Sequence, residues 1–180
     1  MTYDDILAFW FAGDSAAPRE VWFERNTEFD AACARFAQAL RYAKSGTYDD
    51  WTETPRGTLA LIILLYQFSR NLHRGSAEAF AADAKARQIA RVAITKGFDQ
   101  ALAPVERMFV YLPFEHSEDL ADQEEAVRLF AALGDDSVEY AQRHLDVIRR
   151  FGRFPHRNAA LGRTSTPEEL AYLAEPDAGF

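Results

Sequence analysis

The sequence predicts an all-α protein. Apolar residues recur at steps of three and four through most of the chain, and helix caps punctuate those recurrences. No stretch shows the period-two alternation between hairpin turns that a strand requires. With 180 residues, 48% of them apolar, the chain is long enough for one well-buried core and short for two, so one domain over 1–180 is expected.

The elements follow in order. Thr2 with Asp5 makes a capping pair, and Tyr3, Ile6, Leu7 and Trp10 continue it at helical spacing. From Thr27 to Ala43 one stripe collects Phe29, Cys33, Phe36, Leu40 and Ala43 before Gly46, which makes Cys33 a core thiol. Thr54-Pro55 supplies an N-cap and a first-turn proline, and Leu59 to Tyr66 is apolar all round, as in a central buried helix. A helix opening at Ser76 would carry Ala79, Ala82, Ala86, Ile89 and Ala93 on one face until Lys96-Gly97. Another starts at Ala103-Pro104, with Val105, Met108, Phe109 and Leu112 inward and Pro113 as its stop.

Leu120, Val127 and Phe130 mark a helix from Glu118 to Leu133, closed by Gly134. Asp136 and Glu139 read as the capping box of the next helix, which carries Val138, Ala141, Leu145 and Ile148. Thr166-Pro167-Glu168-Glu169 caps a last short helix. Short connections make these helices antiparallel pairs, stacked as a bundle or a short solenoid.

Composition excludes several functions. A net charge of −8 repels phosphate backbones, so no nucleic-acid partner is expected. The longest apolar run, 59–66, falls far short of the roughly 20 residues of a membrane span. The start, Met1-Thr2-Tyr3-Asp4-Asp5, is acidic where a secretory or organellar leader is basic. The lone Cys33 forms no internal disulfide and no thiolate zinc site. A soluble cytoplasmic protein is the expectation, with oligomeric state left open.

Polar residues gather in three segments. The first, 67–76, reads as a turn bearing Arg70, Asn71, His73 and Arg74. The second runs from Glu106-Arg107 through His116, Asp119 and Asp122 to Gln123; counting back from Val127 puts His116, Asp119 and Gln123 on the inward side, where each needs a partner. The third, 149–163, carries Arg153, His156, Arg157, Asn158 and Arg163. The first and third share a Phe before an Arg-Asn pair, a weak sign of internal repetition.

Two readings satisfy these groups. Residues 115–139 hold nine acids against Arg128, and residues 141–163 hold six arginines against Asp146, so the two helices could pair with each other. Alternatively the surplus of arginine forks lines a cleft for a small anionic ligand, with Arg70, Asn71, Arg74, Gln123, Arg153, His156, Arg157 and Asn158 as binding residues. His116 and Asp119 would then be an acid–base pair. The spacing His116-x-x-Asp119-x-x-Asp122 is compatible with a divalent ion but common on first turns of helices, so no metal is assigned. With no phosphate loop or dinucleotide fingerprint, no cofactor is assigned either. A competing function is a helical module that binds a protein or peptide partner through Trp10, Phe11, Trp22, Phe23 and Trp51, although core packing also explains those aromatics.

The chain resembles a bacterial family without an assigned role, the domain-of-unknown-function 924 family, over nearly its whole length. The resemblance rests on Leu7-Ala8-Phe9-Trp10-Phe11, Gln67-Phe68-Ser69-Arg70-Asn71 with Arg74-Gly75, Glu106-Arg107, and Tyr111-Leu112-Pro113-Phe114 with His116-Ser117-Glu118-Asp119 and Gln123. It also rests on Arg153-Phe154-Pro155-His156-Arg157-Asn158 with Leu161-Gly162-Arg163. Tyr66 and Ser69 stand where a typical member has Asp and Pro, which leaves no carboxylate at position 66. The resemblance implies an all-α, tetratricopeptide-like superhelix and no activity. The tetratricopeptide consensus itself is absent from the sequence.

Overall fold

Several helix starts in this chain are written as side-chain caps, and the structure forms those at Thr2, Thr54 and Thr166. The computed structural model describes residues 1–12, 18–134, 137–176 and 178–179. In α1 (Tyr3–Phe11), Thr2 and Asp5 bond reciprocally, and Ile6, Leu7, Trp10 and Phe11 are buried. Thr54 caps α4 (Pro55–His73) through Gly57 N, and Thr166 with Glu169 closes a capping box on α9 (Pro167–Leu173). Each such cap contributes about 1 kcal/mol. The Asp136 half of the box expected before α8 (Ser137–Phe151) lies outside the described residues.

Four boundaries differ from the sequence expectation. The helix expected over 27–43 is α2 (Thr27–Cys33), a 3-10 turn (Ala34–Phe36) and α3 (Ala37–Ser45). Its apolar stripe survives the change of winding, because Phe29, Cys33, Phe36, Leu40 and Ala43 are all buried. The helix expected from Ser76 begins later: Ala77–Phe80 is a 3-10 turn and α5 runs Asp83–Thr95. Pro113 does not stop α6 (Pro104–Glu115), since its missing N–H falls in the last turn and removes one helical bond there. The segment 67–73 is the end of α4 and not a turn.

By its contacts the chain forms two compact units. Unit 1, Met1–Arg74 with Glu78–Pro113, gathers α1, α2, α3 and α5 around α4. From Leu59 to Leu65 every side chain of α4 is buried, at about 1.5–3 kcal/mol for each large aliphatic group, which is why a helix without a polar face is stable there. Unit 2, Gly75–Ala77 with Phe114–Phe180, packs α7 (Leu120–Ala131) against α8, and α9 against a 3-10 turn at Pro155–Arg157. Among the described residues there is no strand, and no helix is long and apolar enough to cross a membrane. The fold is all-α.

Candidate functional site

In unit 1, the end of α4 turns its polar side chains toward protein carboxylates. Arg70 makes a two-point pair with Asp83, one bond of it 2.7 Å, and lies over the Tyr66 and Phe80 rings at 4.1 and 4.8 Å. Asn71 donates to Asp30 at 2.7 Å, and Arg74 grips both oxygens of the same carboxylate at 2.9 Å. Burial alone would raise the Asp30 pKa; the bonds from Arg74 and Asn71 outweigh it and hold the carboxyl below its ordinary value. These forks are committed to the protein, as bidentate pairs of this kind favour.

In unit 2, the sequence builds a tight turn after α6. Gln123, fully buried on α7, donates its amide to the carbonyls of Glu115 and Ser117, the latter at 2.6 Å, and so satisfies carbonyls that the end of a helix leaves open. Ser117 donates to Asp122 at 2.7 Å, and both are buried. Asp119, expected inward beside His116, is exposed: its oxygen accepts from Ala121 N and Asp122 N and caps α7. Leu120 is likewise 46% exposed, so the inward face of α7 is Gln123, Ala126, Leu129 and Phe130.

The acid beside His116 is Glu115. Its carboxyl lies 3.7 Å from His116 Nε2 and 3.9 Å from His144 Nδ1. Glu115 is only 4% exposed, and no hydrogen bond from the described residues reaches its carboxyl. His144, buried on α8, donates Nδ1–H to Tyr140 O at 2.8 Å, the carbonyl being only an acceptor, which fixes the neutral tautomer with Nε2 basic. Its ring stands edge-on to that of His116, 4.8 Å between centroids. Burial pushes Glu115 up to about 8. Burial, aided by the nearby charges of Arg157, His156 and Arg143, takes His144 down to about 4.

Phe154 joins this group to the 3-10 turn. The His144 and His156 rings lie 5.6 and 5.5 Å from it, and the Arg157 guanidinium stacks on it at 4.4 Å. Arg157 is buried and donates to His116 O at 2.9 Å; His156 is exposed. Arg153, Asn158 and Arg163 hold the loop itself. Arg153 takes Glu169 in a two-point pair at 2.6 and 2.8 Å, and Asn158 adds a bond to Glu169 at 3.3 Å. The hydrogen bond from Arg153 and that from Thr166 N keep the Glu169 carboxyl down at about 2. Arg163 grips Glu118 at 2.7 and 2.9 Å, and Glu118 also accepts Phe154 N at 2.8 Å.

Expected site residues therefore fall into groups. His116, His156 and Arg157 meet around Phe154 and His144; Gln123, Arg153 and Asn158 brace the turn and loop that carry them; Arg70, Asn71 and Arg74 sit in unit 1 on Asp83 and Asp30. Pairing of the acidic segment 115–139 with the basic segment 141–163 is seen between Glu124 and Arg149 at 3.4 Å and between Glu118 and Arg163 at 2.7 Å, but Arg150 and Arg153 reach Glu168 and Glu169 of α9 instead. The Phe–Arg–Asn likeness between segments is not structural, since 68–71 is helix and 154–158 centres on a 3-10 turn. Glu115 and His144 were not singled out by the sequence. His144 lies three residues after Ala141 and four before Ile148, so the periodicity of α8 alone would place it inward.

An all-α chain with a buried imidazole–carboxyl cluster at the end of one helix is the class defined so far. The chain belongs to the family described as bacterial protein of unknown function (DUF924), whose model matches residues 6–177. It is similar to a solved structure of a protein of unknown function, ATU0120, from Agrobacterium tumefaciens: 43% identity over 96% of each chain, with a TM-score of 0.89. No curated protein matches it.

Proposed function

We propose that the protein binds a small anionic molecule in unit 2, beside Phe154, through Arg157 and His156 with His116 at its edge. The observation that carries this reading is that the Arg157 guanidinium and the His156 imidazole both lie against the Phe154 ring, the guanidinium almost wholly withdrawn from water and bonded to the His116 carbonyl. A buried guanidinium attracts an oxyanion far more strongly than an exposed one, because the local dielectric is low. The neighbouring acids Glu118 and Glu169 support the reading in a second way: each is bonded by its own arginine, Arg163 or Arg153.

Thermal-shift measurements in chelator, with inorganic phosphate and a dicarboxylate as probes, test it. A ligand present at a hundredfold over its dissociation constant stabilises by about 2.7 kcal/mol. The wild type should gain in melting temperature with at least one probe, and His156→Ala and Arg157→Lys should lose most of that gain. No gain in the wild type, or the same gain in both variants, overturns the proposal.

A further inference from the structure

Glu115 stands out energetically. Its side chain keeps only 5% of its exposure, and burial of a carboxyl is costly. Two imidazoles lie beside its carboxyl, at 3.7 and 3.9 Å.

We propose that Glu115, His116 and His144 form a binding site for a divalent first-row transition metal ion, with zinc as the reference case. Each of the three offers a donor atom within 4.8 Å of the other two. Bonds of about 2.0–2.1 Å in a tetrahedral site put donors about 3.4 Å apart, so side-chain shifts of roughly an ångström would close the set. Two nitrogens and one oxygen are donors suited to borderline ions such as zinc, cobalt and iron, and poorly suited to calcium or magnesium. The Tyr140 carbonyl acts on His144 as backbone carbonyls act on metal-bound histidines generally, fixing the tautomer and the ring through the other nitrogen. His116, with 24% of its side chain exposed, gives the ion a way in from solvent.

The charges around the cluster sharpen the role of Glu115. Arg157 and Arg143 make the field at His144 positive, which opposes a cation. Glu115 is the one carboxylate of the set and must supply the compensating charge. Three protein donors also leave a coordination position open, the pattern of catalytic rather than structural zinc sites. This site does not depend on the anion proposal, whose assay is run in chelator.

The test uses the full chain, stripped with chelator and desalted, then titrated with Zn²⁺ by calorimetry and with Co²⁺ by visible absorption. The expected result is one saturable equivalent, the Co²⁺ bands of a site with low coordination number, and affinity reduced roughly 10- to 100-fold or more in His116→Ala and Glu115→Gln. His73→Ala, in unit 1, should bind as the wild type does. His144 is avoided as a test position because its burial makes loss of fold a trivial explanation; far-ultraviolet circular dichroism checks that the two variants fold. Absence of one saturable equivalent overturns the proposal, as does wild-type affinity in both variants or an equal loss in His73→Ala.

Discussion

The Glu115 carboxyl and the His116 imidazole lie 3.7 Å apart at the end of α6, the acid buried and the base partly exposed. Of these two neighbours in sequence, the acid is the more deeply buried. Replacing Glu115 by Met removes a buried polar group, to whose carboxyl the described residues give no hydrogen bond, while keeping similar volume. In chelator, Glu115→Met should stabilise the protein by about 1–3 kcal/mol, measured as the urea midpoint at neutral pH. A loss of stability would mean that the carboxyl is satisfied within the fold.

Gln123 should behave oppositely. Its amide nitrogen serves two carbonyls at the start of the His116 turn, and it is fully buried. Gln123→Leu fills the volume but strands both acceptors, so a cost on the order of 3 kcal/mol is expected in the same urea measurement. A change within 0.5 kcal/mol, roughly the scatter of neutral substitutions, would contradict this bracing role.

How far the sequence foresaw these two residues depends on what kind of signal each carries. Gln123 was found because a polar residue interrupts an apolar stripe, and its burial follows from period alone. The caps at Thr2, Thr54 and Thr166 were legible because their chemistry is local to three or four residues. Asp119 escapes that counting: it is the N-cap just before α7, where the backbone is extended, so helical periodicity does not predict where its side chain points. Pro113 has the chemistry of a helix stop, yet α6 carries it in its last turn, where one helical bond is missing. The cluster of Glu115, His116 and His144 joins positions 28 or more residues apart on α6 and α8, and no local pattern encodes that meeting.

Acid should weaken unit 2 through Glu169 and unit 1 through Asp30. Both carboxyls are held below their ordinary values in the fold, so each contributes stability that is present above its unfolded pKa and lost as pH falls toward its folded one. For Glu169 the loss should spread from near its ordinary 4.5 down to about 2. Glu169→Gln should flatten the fall in melting temperature over that window. A profile identical to wild type would show that the Arg153 pair does not contribute.

The unit 1 arginines should act on stability and leave ligand binding alone. Arg74, exposed on one side of its pair with Asp30, should cost about 1 kcal/mol or less when changed to Ala. Arg70, more enclosed against Asp83, should cost about 3 kcal/mol, since its removal leaves that carboxylate without its partner. Neither change should alter the thermal shift produced by phosphate. Loss of that shift in Arg74→Ala with the fold intact would move the anion site to unit 1.

The chain has four histidines, and they divide cleanly for a single decisive measurement: His73 in unit 1, and His116, His144 and His156 around Phe154 and Glu115 in unit 2. Side-chain ¹⁵N–¹H spectra of the full protein, recorded in chelator at constant pH while inorganic phosphate is added, report on all four at once. Saturable shifts of His156 and His116 with His73 unmoved are predicted. Shifts confined to His73, or no saturable shift in any histidine, would contradict an anion site in unit 2.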